Sequence, residues 1–463
     1  PDGRRNHGGQ DQVPAVTGGL PPGIVIAAPS SGSGKTLLTL GLLRHFRDAG
    51  VPVASAKVGP DYIDPAFHRA AGGRPCPNLD LWAMRDGTLA SVLASSAQGT
   101  ELIVCEGVMG LFDGAKLDEG STADAARTFG WPVILVVDAS AQGASASALV
   151  GGFARHRPDV TVAGVIFNRT GSARHADILT AAMAQDHPDI PVLGCLPRLV
   201  DLTLPERHLG LVQAGEHGNL EAFLNAAAEA VAAHIDTARL RALAGVTRTA
   251  DAVHEPPLSP LGQKIAVARD RAFSFCYPHV LDGWRHVGAE ITFFSPLADE
   301  APAADADAVY LPGGYPELHA ERLAGNTRFL AGLRGAAAAG HIVFGECGGY
   351  MVLGDALTDA DGAAHAMAGL LPVETSFARR KLHLGYRRAV IADAGPLGPA
   401  GTALRGHEFH YATIIAEGLA GGIDAPLFHV SNADGMYLGA LGRRRGSVMG
   451  SFVHLIDRED SGA

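Results

Sequence analysis

Residues 28–36 read APSSGSGKT, and their types and order suit them to holding phosphate. Backbone N–H groups at a helix N-terminus converge on anionic oxygens, and glycines permit close approach. A lysine then adds a mobile positive charge, and a threonine hydroxyl can hold magnesium. Gly32, Ser33, Gly34, Lys35 and Thr36 supply these parts here. Pro29 stands where the strict pattern GxxxxGK[ST] opens on glycine, and proline has no N–H to donate. The stretch from Gly32 to Thr36, which matters most, is intact. A nucleotide-bound cation also needs carboxylates opposite the loop. KVGPDYIDP (57–65) offers Asp61 and Asp64 with Lys57, and CEGVMGLFDG (105–114) offers Glu106 and Asp113. Acidic residues just past parallel strands face the crevice where ligands bind. A single such Asp is more often a turn former.

A second chemistry is written in GECGGYMVLG (345–354), which sets Cys347 among glycines. The pattern reads as strand, sharp turn and helix, the logic of a nucleophile elbow with sulfur in place of oxygen. A helix N-terminus is expected to lower the thiol's pKa and favour the thiolate. His454, in GSFVHLI (450–456), is the candidate base. LPGGYPE (311–317) supplies adjacent glycines after a strand, so amides near Gly314 and Gly348 can converge on a developing oxyanion. With 20 histidines in the chain, His454 gains weight only in combination with the thiol and the glycines. Cys76, Cys105, Cys195 and Cys276 read as structural.

These residues need elements to hold them. From residue 23 short apolar strands alternate with helical stretches. GIVIAAP (23–29) leads into a helix through KTLLTLGLLRHFRDAG that closes at Gly50. Further strands are VPVASAK (51–57), ELIVCEG (101–107), WPVILVVDA (131–139), VTVAGVIFNR (160–169) and PVLGCLPR (191–198). Continuous apolar strands separated by helices predict a mostly parallel sheet covered on both faces. An Ala-rich helical stretch covers 221–244, and TRTADAVHEPPLSPLGQ (247–263) has no periodicity and reads as a linker. Alternation then resumes with KIAVARD (264–270), AEITFFSP (289–296), ADAVYLPGG (306–314) and HIVFGE (341–346). The last hundred residues are richer in strands, among them HEFHYATII (407–415) and SVMGSFVHL (447–455). The expectation is an α/β protein of two domains, each with a mostly parallel sheet flanked by helices. Residues 1–22 form a disordered leader, 23–246 the first domain, 247–263 the linker and 264–463 the second domain.

The totals narrow the field. A net charge of −11 argues against a nucleic-acid partner. No apolar run approaches the ~20 residues needed to span a bilayer, so no membrane partner is expected. Five scattered cysteines without CxxC spacing suit a reducing, cytoplasmic setting and argue against a zinc site.

Taken in order, APSSGSGKT, KVGPDYIDP, EGVMGLFDG, LPGGYPE, GECGGYMVLG, GHEFHY and GSFVHL resemble the cobyrinic acid a,c-diamide synthase family. The match spans nearly all of residues 23–456. The resemblance implies a P-loop NTPase-like domain of the dethiobiotin-synthetase type followed by a class I glutamine amidotransferase domain. It implies ATP, magnesium and glutamine, with no tightly bound organic cofactor, and a corrinoid polycarboxylate whose a and c acetates become amides in cobalamin biosynthesis. It leaves open whether that substrate holds cobalt, and it is compatible with a homodimer. Carried over by position, Lys35 and Thr36 match phosphate and magnesium residues, and Asp64 and Glu106 match metal carboxylates. Tyr62 and Asp113 lie in motifs tied to substrate handling, and Asn168 resembles a residue that reads adenine.

One departure concerns the base. Many class I amidotransferases carry a glutamate two residues after the catalytic histidine, where this chain has Ile456. A Cys–His dyad is the expectation, with the group that orients His454 unassigned. Asp457 would point the other way on a strand. The basic stretch FARRKLHLGYRR (377–388) either attracts a polycarboxylate or forms a solvated face. His407 and Glu408 in GHEFHY are expected at an interface or pocket, not on a metal. The rival readings are a cobyric acid synthase or nickel-tetrapyrrole amidase within the same chemistry, and a partitioning-type P-loop ATPase outside it.

Overall fold

The computed structural model describes residues 19–199, 202, 206–207, 210–253, 255–418 and 425–460. Of the expected leader, residues 1–18 lie outside the described residues.

Seven strands form the first sheet: β1 (Gly23–Ala27), β2 (Val53–Val58), β3 (Asn78–Leu79), β4 (Leu102–Glu106), β5 (Val133–Asp138), β6 (Val162–Thr170) and β7 (Val192–Pro197). Their order is β3-β2-β4-β1-β5-β6-β7, and every pairing is parallel. Near-continuous burial along β1, β2, β4 and β5 is what helices on both faces require. Helix α1 (Lys35–Asp48) starts directly after the glycine loop, and Gly50 follows its end with φ 74°. The Ala-rich stretch forms two helices, Leu220–His234 and Thr237–Ala242, because the chain turns extended at Ile235 between them.

The second sheet has ten strands. Strands 290–294, 264–268, 308–311, 342–346 and 448–451 run parallel side by side. The remaining half is antiparallel and ends on the pair 403–410 and 454–458. The expectation of a mostly parallel sheet therefore holds for the first domain and for the half of the second that carries Cys347. The segment 447–455, read as one strand, is two. Val448–Ser451 pairs with Ile342–Glu346, and after a break at 452–453 His454–Arg458 pairs with Ala403–His410. Likewise 407–415 breaks at 411–412. Cys347 thus follows a central strand of this sheet and His454 opens its last one, yet both lie against Gly313.

Residues 247–263 contain neither helix nor strand among the described residues, but they are pinned. Arg248 N–H donates to the Phe129 carbonyl, Arg458 N–H to the Pro257 carbonyl, and Leu258 and Leu261 are buried. Among the described residues no helix is long and apolar enough to cross a membrane.

Candidate functional site

Lys35 begins α1 at the C-terminal edge of the first sheet. Its Nζ donates to the carbonyls of Met109 (2.5 Å) and Ser30 (3.3 Å), and burial, with Lys57 nearby, lowers its pKa to about 8. Gly34 has φ 97°, and a Cβ there would lie 2.1 Å from Asn168 Nδ2. Only glycine allows both the left-handed turn and that approach. Asn168, at the end of β6, donates to the Ser33 carbonyl at 2.9 Å and so braces the loop.

Opposite the loop, carboxylates gather around a lysine. Thr36 Oγ1 donates to Glu106 Oε1 at 2.6 Å. Lys57 Nζ donates to Asp64 Oδ2 at 2.6 Å and to Glu106 Oε1 at 2.9 Å. His68 Nε2 lies 2.7 Å from Glu106 Oε2, and Cys76 Sγ lies 3.3 Å from His68 Nδ1. Burial works against charge on Glu106, but Lys57, His68 and Thr36 outweigh it and hold its pKa below the usual carboxylate range. Burial and then Asp61 raise Asp64 to about 7. Thr36, Asp64 and Glu106 form a hard oxygen set suited to a cation that also takes phosphate oxygens. Among the described residues no group of three acidic, His or Cys side chains gathers as a resident metal centre. The Asp113 carboxylate accepts from Gly110 N–H at 2.9 Å and shapes the 109–113 turn, and its charge acts on Lys35. It does not line the cavity described below.

The thiol lies at the C-terminal end of an interior strand of the second sheet. Cys347 follows strand 342–346 with φ 47° and ψ −103°, and helix Gly348–Leu353 starts at the next residue. That backbone is sparsely allowed for a residue with a Cβ, and such strain typically costs about 1–3 kcal/mol. Gly313 sits between Cys347 and His454: a Cβ on it would lie 2.4 Å from His454 Cε1 and 3.3 Å from Cys347 Cβ. A Cβ on Gly348 would lie 3.1 Å from Gly314 N, so those two amides are neighbours. The expected lowering of the thiol's pKa is not seen. Cys347 is only 2% exposed; burial, then Glu317, pushes the thiol up, and the Gly348 N–H acts the other way. The helix of six residues is too short, and its surroundings too dry, to offset desolvation. His454 is pushed down by burial, then by His407 and His410, so it stands neutral and able to take a proton.

The two halves meet through the loop after β2. Tyr62 Oη lies 3.1 Å from His454 Nδ1, and its ring stacks on Phe275 at 5.1 Å and against Tyr277 at 4.3 Å. His407 lies parallel to His454 at 4.9 Å, and its Nε2 is 2.8 Å from Tyr277 Oη. A cavity of about 1300 Å³ runs between the domains, lined among others by Lys35, Thr36, Asp64, Tyr62, Tyr386 and His454. It exceeds the ~300–1,000 Å³ of ordinary small-molecule pockets. Asp457 points away from His454, as expected, and pairs with Arg85. The basic stretch divides: Leu384, Gly385 and Tyr386 line the cavity, Arg387 pairs with Glu408 and Arg388 with Glu459, while 379–381 are exposed.

Lys57 lies inside a motif the sequence singled out, but its place between two carboxylates was not foreseen. His68 and Tyr277 carried no signal at all, being a helix histidine and a tyrosine outside any motif.

Comparison with known proteins agrees with this geometry. Residues 24–212 match the CobQ/CobB/MinD/ParA nucleotide binding domain, and 264–461 the CobB/CobQ-like glutamine amidotransferase domain. The class is thus a nucleotide-binding P-loop domain joined to a glutamine amidotransferase domain. Proteins named hydrogenobyrinate a,c-diamide synthase are 56% identical in Brucella suis (94% of this chain, 98% of the relative), 56% in Rhizobium meliloti (94% and 99%) and 53% in Rhodobacter capsulatus (94% and 99%). The chain belongs to the hydrogenobyrinate a,c-diamide synthase family and is an enzyme.

Proposed function

We propose that this enzyme uses ATP and glutamine to convert the a and c acetate side chains of hydrogenobyrinic acid into amides. The observation that carries the reading is the single cavity onto which Lys35 of the phosphate loop and His454 beside Cys347 both open. A carboxylate is a poor electrophile, and one domain makes it reactive while the other supplies nitrogen.

At the phosphate loop, Lys35 and the amides of Gly32 to Thr36 hold the nucleotide. An acetate oxygen attacks the γ-phosphorus and ADP leaves, giving an acyl phosphate. Thr36, Asp64 and Glu106 would hold the magnesium that accompanies ATP and neutralises phosphate charge. At the other centre the thiol proton passes to His454 while Cys347 sulfur attacks the amide carbon of glutamine. The amides of Gly314 and Gly348 take the oxyanion. His454 returns the proton to the departing nitrogen, ammonia leaves, and water hydrolyses the thioester to glutamate. Ammonia then displaces phosphate from the activated acetate. The exposed basic residues 379–381, beside the cavity-lining 384–386, suit a substrate with many carboxylates. Tyr386 offers it an aromatic ring at the cavity wall.

Replacing Cys347 by Ala tests the assignment. Glutamine-driven amidation should vanish while ammonia-driven amidation continues. Amidation that still runs on glutamine in this variant, or product carrying amides at positions other than a and c, refutes the reading.

A further inference from the structure

The dyad of Cys347 and His454 lacks the residue that, in a triad, holds the histidine in one tautomer. Ile456 cannot do so, and Asp457 is spent on Arg85. Yet His454 is 1% exposed and its Nδ1 faces a hydroxyl from the other domain.

We infer that Tyr62 of the nucleotide-binding domain is the positioning residue of the glutaminase centre, fixing His454 through a hydrogen bond at Nδ1 while Phe275 and Tyr277 hold the Tyr62 ring. The inference rests on the glutaminase reading above and deepens it.

Tyr62 Oη lies 3.1 Å from His454 Nδ1, so that nitrogen is engaged and Nε2 is left to take the thiol proton. A ring that takes the proton at Nε2 carries its resting proton on Nδ1, with the Tyr62 oxygen as acceptor. This is the assignment that an orienting carboxylate enforces in a Ser-His-Asp triad, here made by a neutral hydroxyl. Tyr62 is itself held in place: its ring packs against Tyr277 at 4.3 Å, and Tyr277 Oη lies 2.8 Å from His407 Nε2. The ring contacts support the same alignment: His407 stacks on His454 with the planes within 10° of parallel, and Tyr62 packs against both Phe275 and Tyr277.

The test uses the full-length enzyme and glutamine hydrolysis alone. Tyr62→Phe removes the hydroxyl and keeps the ring. It should lower kcat for glutamine hydrolysis ~10- to 100-fold, within the range of general-base catalysis, with KM for glutamine within about twofold of the parent. Unchanged kcat overturns the inference. A raised KM at unchanged kcat also overturns it, because it would place the hydroxyl in the glutamine pocket. The unmodified protein gives an independent readout should a variant fold poorly. Two-bond 15N–1H correlations of His454, assigned by their loss in His454→Gln, should show the proton on Nδ1, and a proton on Nε2 overturns the inference. A Cys347→Ala enzyme that still hydrolyses glutamine would instead refute the underlying glutaminase reading.

Discussion

Arg85 and Asp457 form a buried ion pair that ties one domain to the other. Arg85 Nε and Nη2 lie 3.0 and 2.9 Å from Asp457 Oδ1, and the Arg85 backbone N–H donates to Oδ2 at 2.9 Å. Tyr386 O–H to Asp80 (2.9 Å) and Arg405 to the Trp82 carbonyl (2.5 Å) reinforce the same seam. Removing one member of a buried pair leaves an uncompensated charge and costs about 3–5 kcal/mol. Arg85→Met should therefore loosen the domain contact. Ammonia would escape, and glutamate released per amide formed should rise well above its parent value. An unchanged ratio in a folded variant would show that the seam does not contain the nitrogen.

Lys57 neutralises Asp64 and Glu106 from a fully buried position. Lys57→Met should lose amidation with either nitrogen source while glutamine hydrolysis persists. Added magnesium should raise the variant's Tm more than the parent's, since a cation would fill the place of the ammonium among the same oxygens. Equal shifts would mean that the carboxylates do not serve a cation.

Asn168 holds the Ser33 carbonyl, so its loss should slacken the loop and not the base site. Asn168→Ala is expected to weaken ATP and GTP binding alike, by about tenfold, in equilibrium titrations. A selective loss of ATP would restore the adenine-reading role that resemblance suggests.

Glu346 precedes Cys347 and accepts from Tyr310 O–H (2.6 Å) and Leu455 N–H (3.1 Å). Burial outweighs these bonds and raises its pKa from 4.5 to about 7. Between those values the folded chain keeps a proton that the unfolded chain has released. Stability contributed by Glu346 is therefore complete below pH 4.5, falls as pH rises towards 7 and levels off above. The gap of 7 − 4.5 = 2.5 units corresponds to about 3 kcal/mol. Glu346→Gln should match the parent near pH 4.5 and exceed it at pH 8 in denaturant titrations. Equal stabilities at pH 8 would contradict the shift.

Much of this was legible because the chemistry is compressed into short motifs at strand ends. APSSGSGKT and GECGGYMVLG announce a phosphate loop and an elbow through glycine placement alone, and both sit where parallel strands end. Hidden from the sequence was whatever depends on apposition. For Asp113, a carboxylate in a glycine-rich loop reads the same in sequence whether it faces a cavity or caps its own turn. The low thiol pKa failed because helix onset is visible in sequence and desolvation is not. Tyr62 lies 392 residues from His454 in the chain, and no periodicity reports such a meeting. The mixed second sheet was missed in part because 448–451 and 454–458, nearly contiguous in sequence, belong to different neighbours.

The backbone at Cys347, with φ 47°, has an evolutionary corollary. Glycine would relax there, so the fold on its own favours discarding the sulfur. A lineage that lived on abundant free ammonia would be expected to drift to glycine at 347 and gain robustness by it.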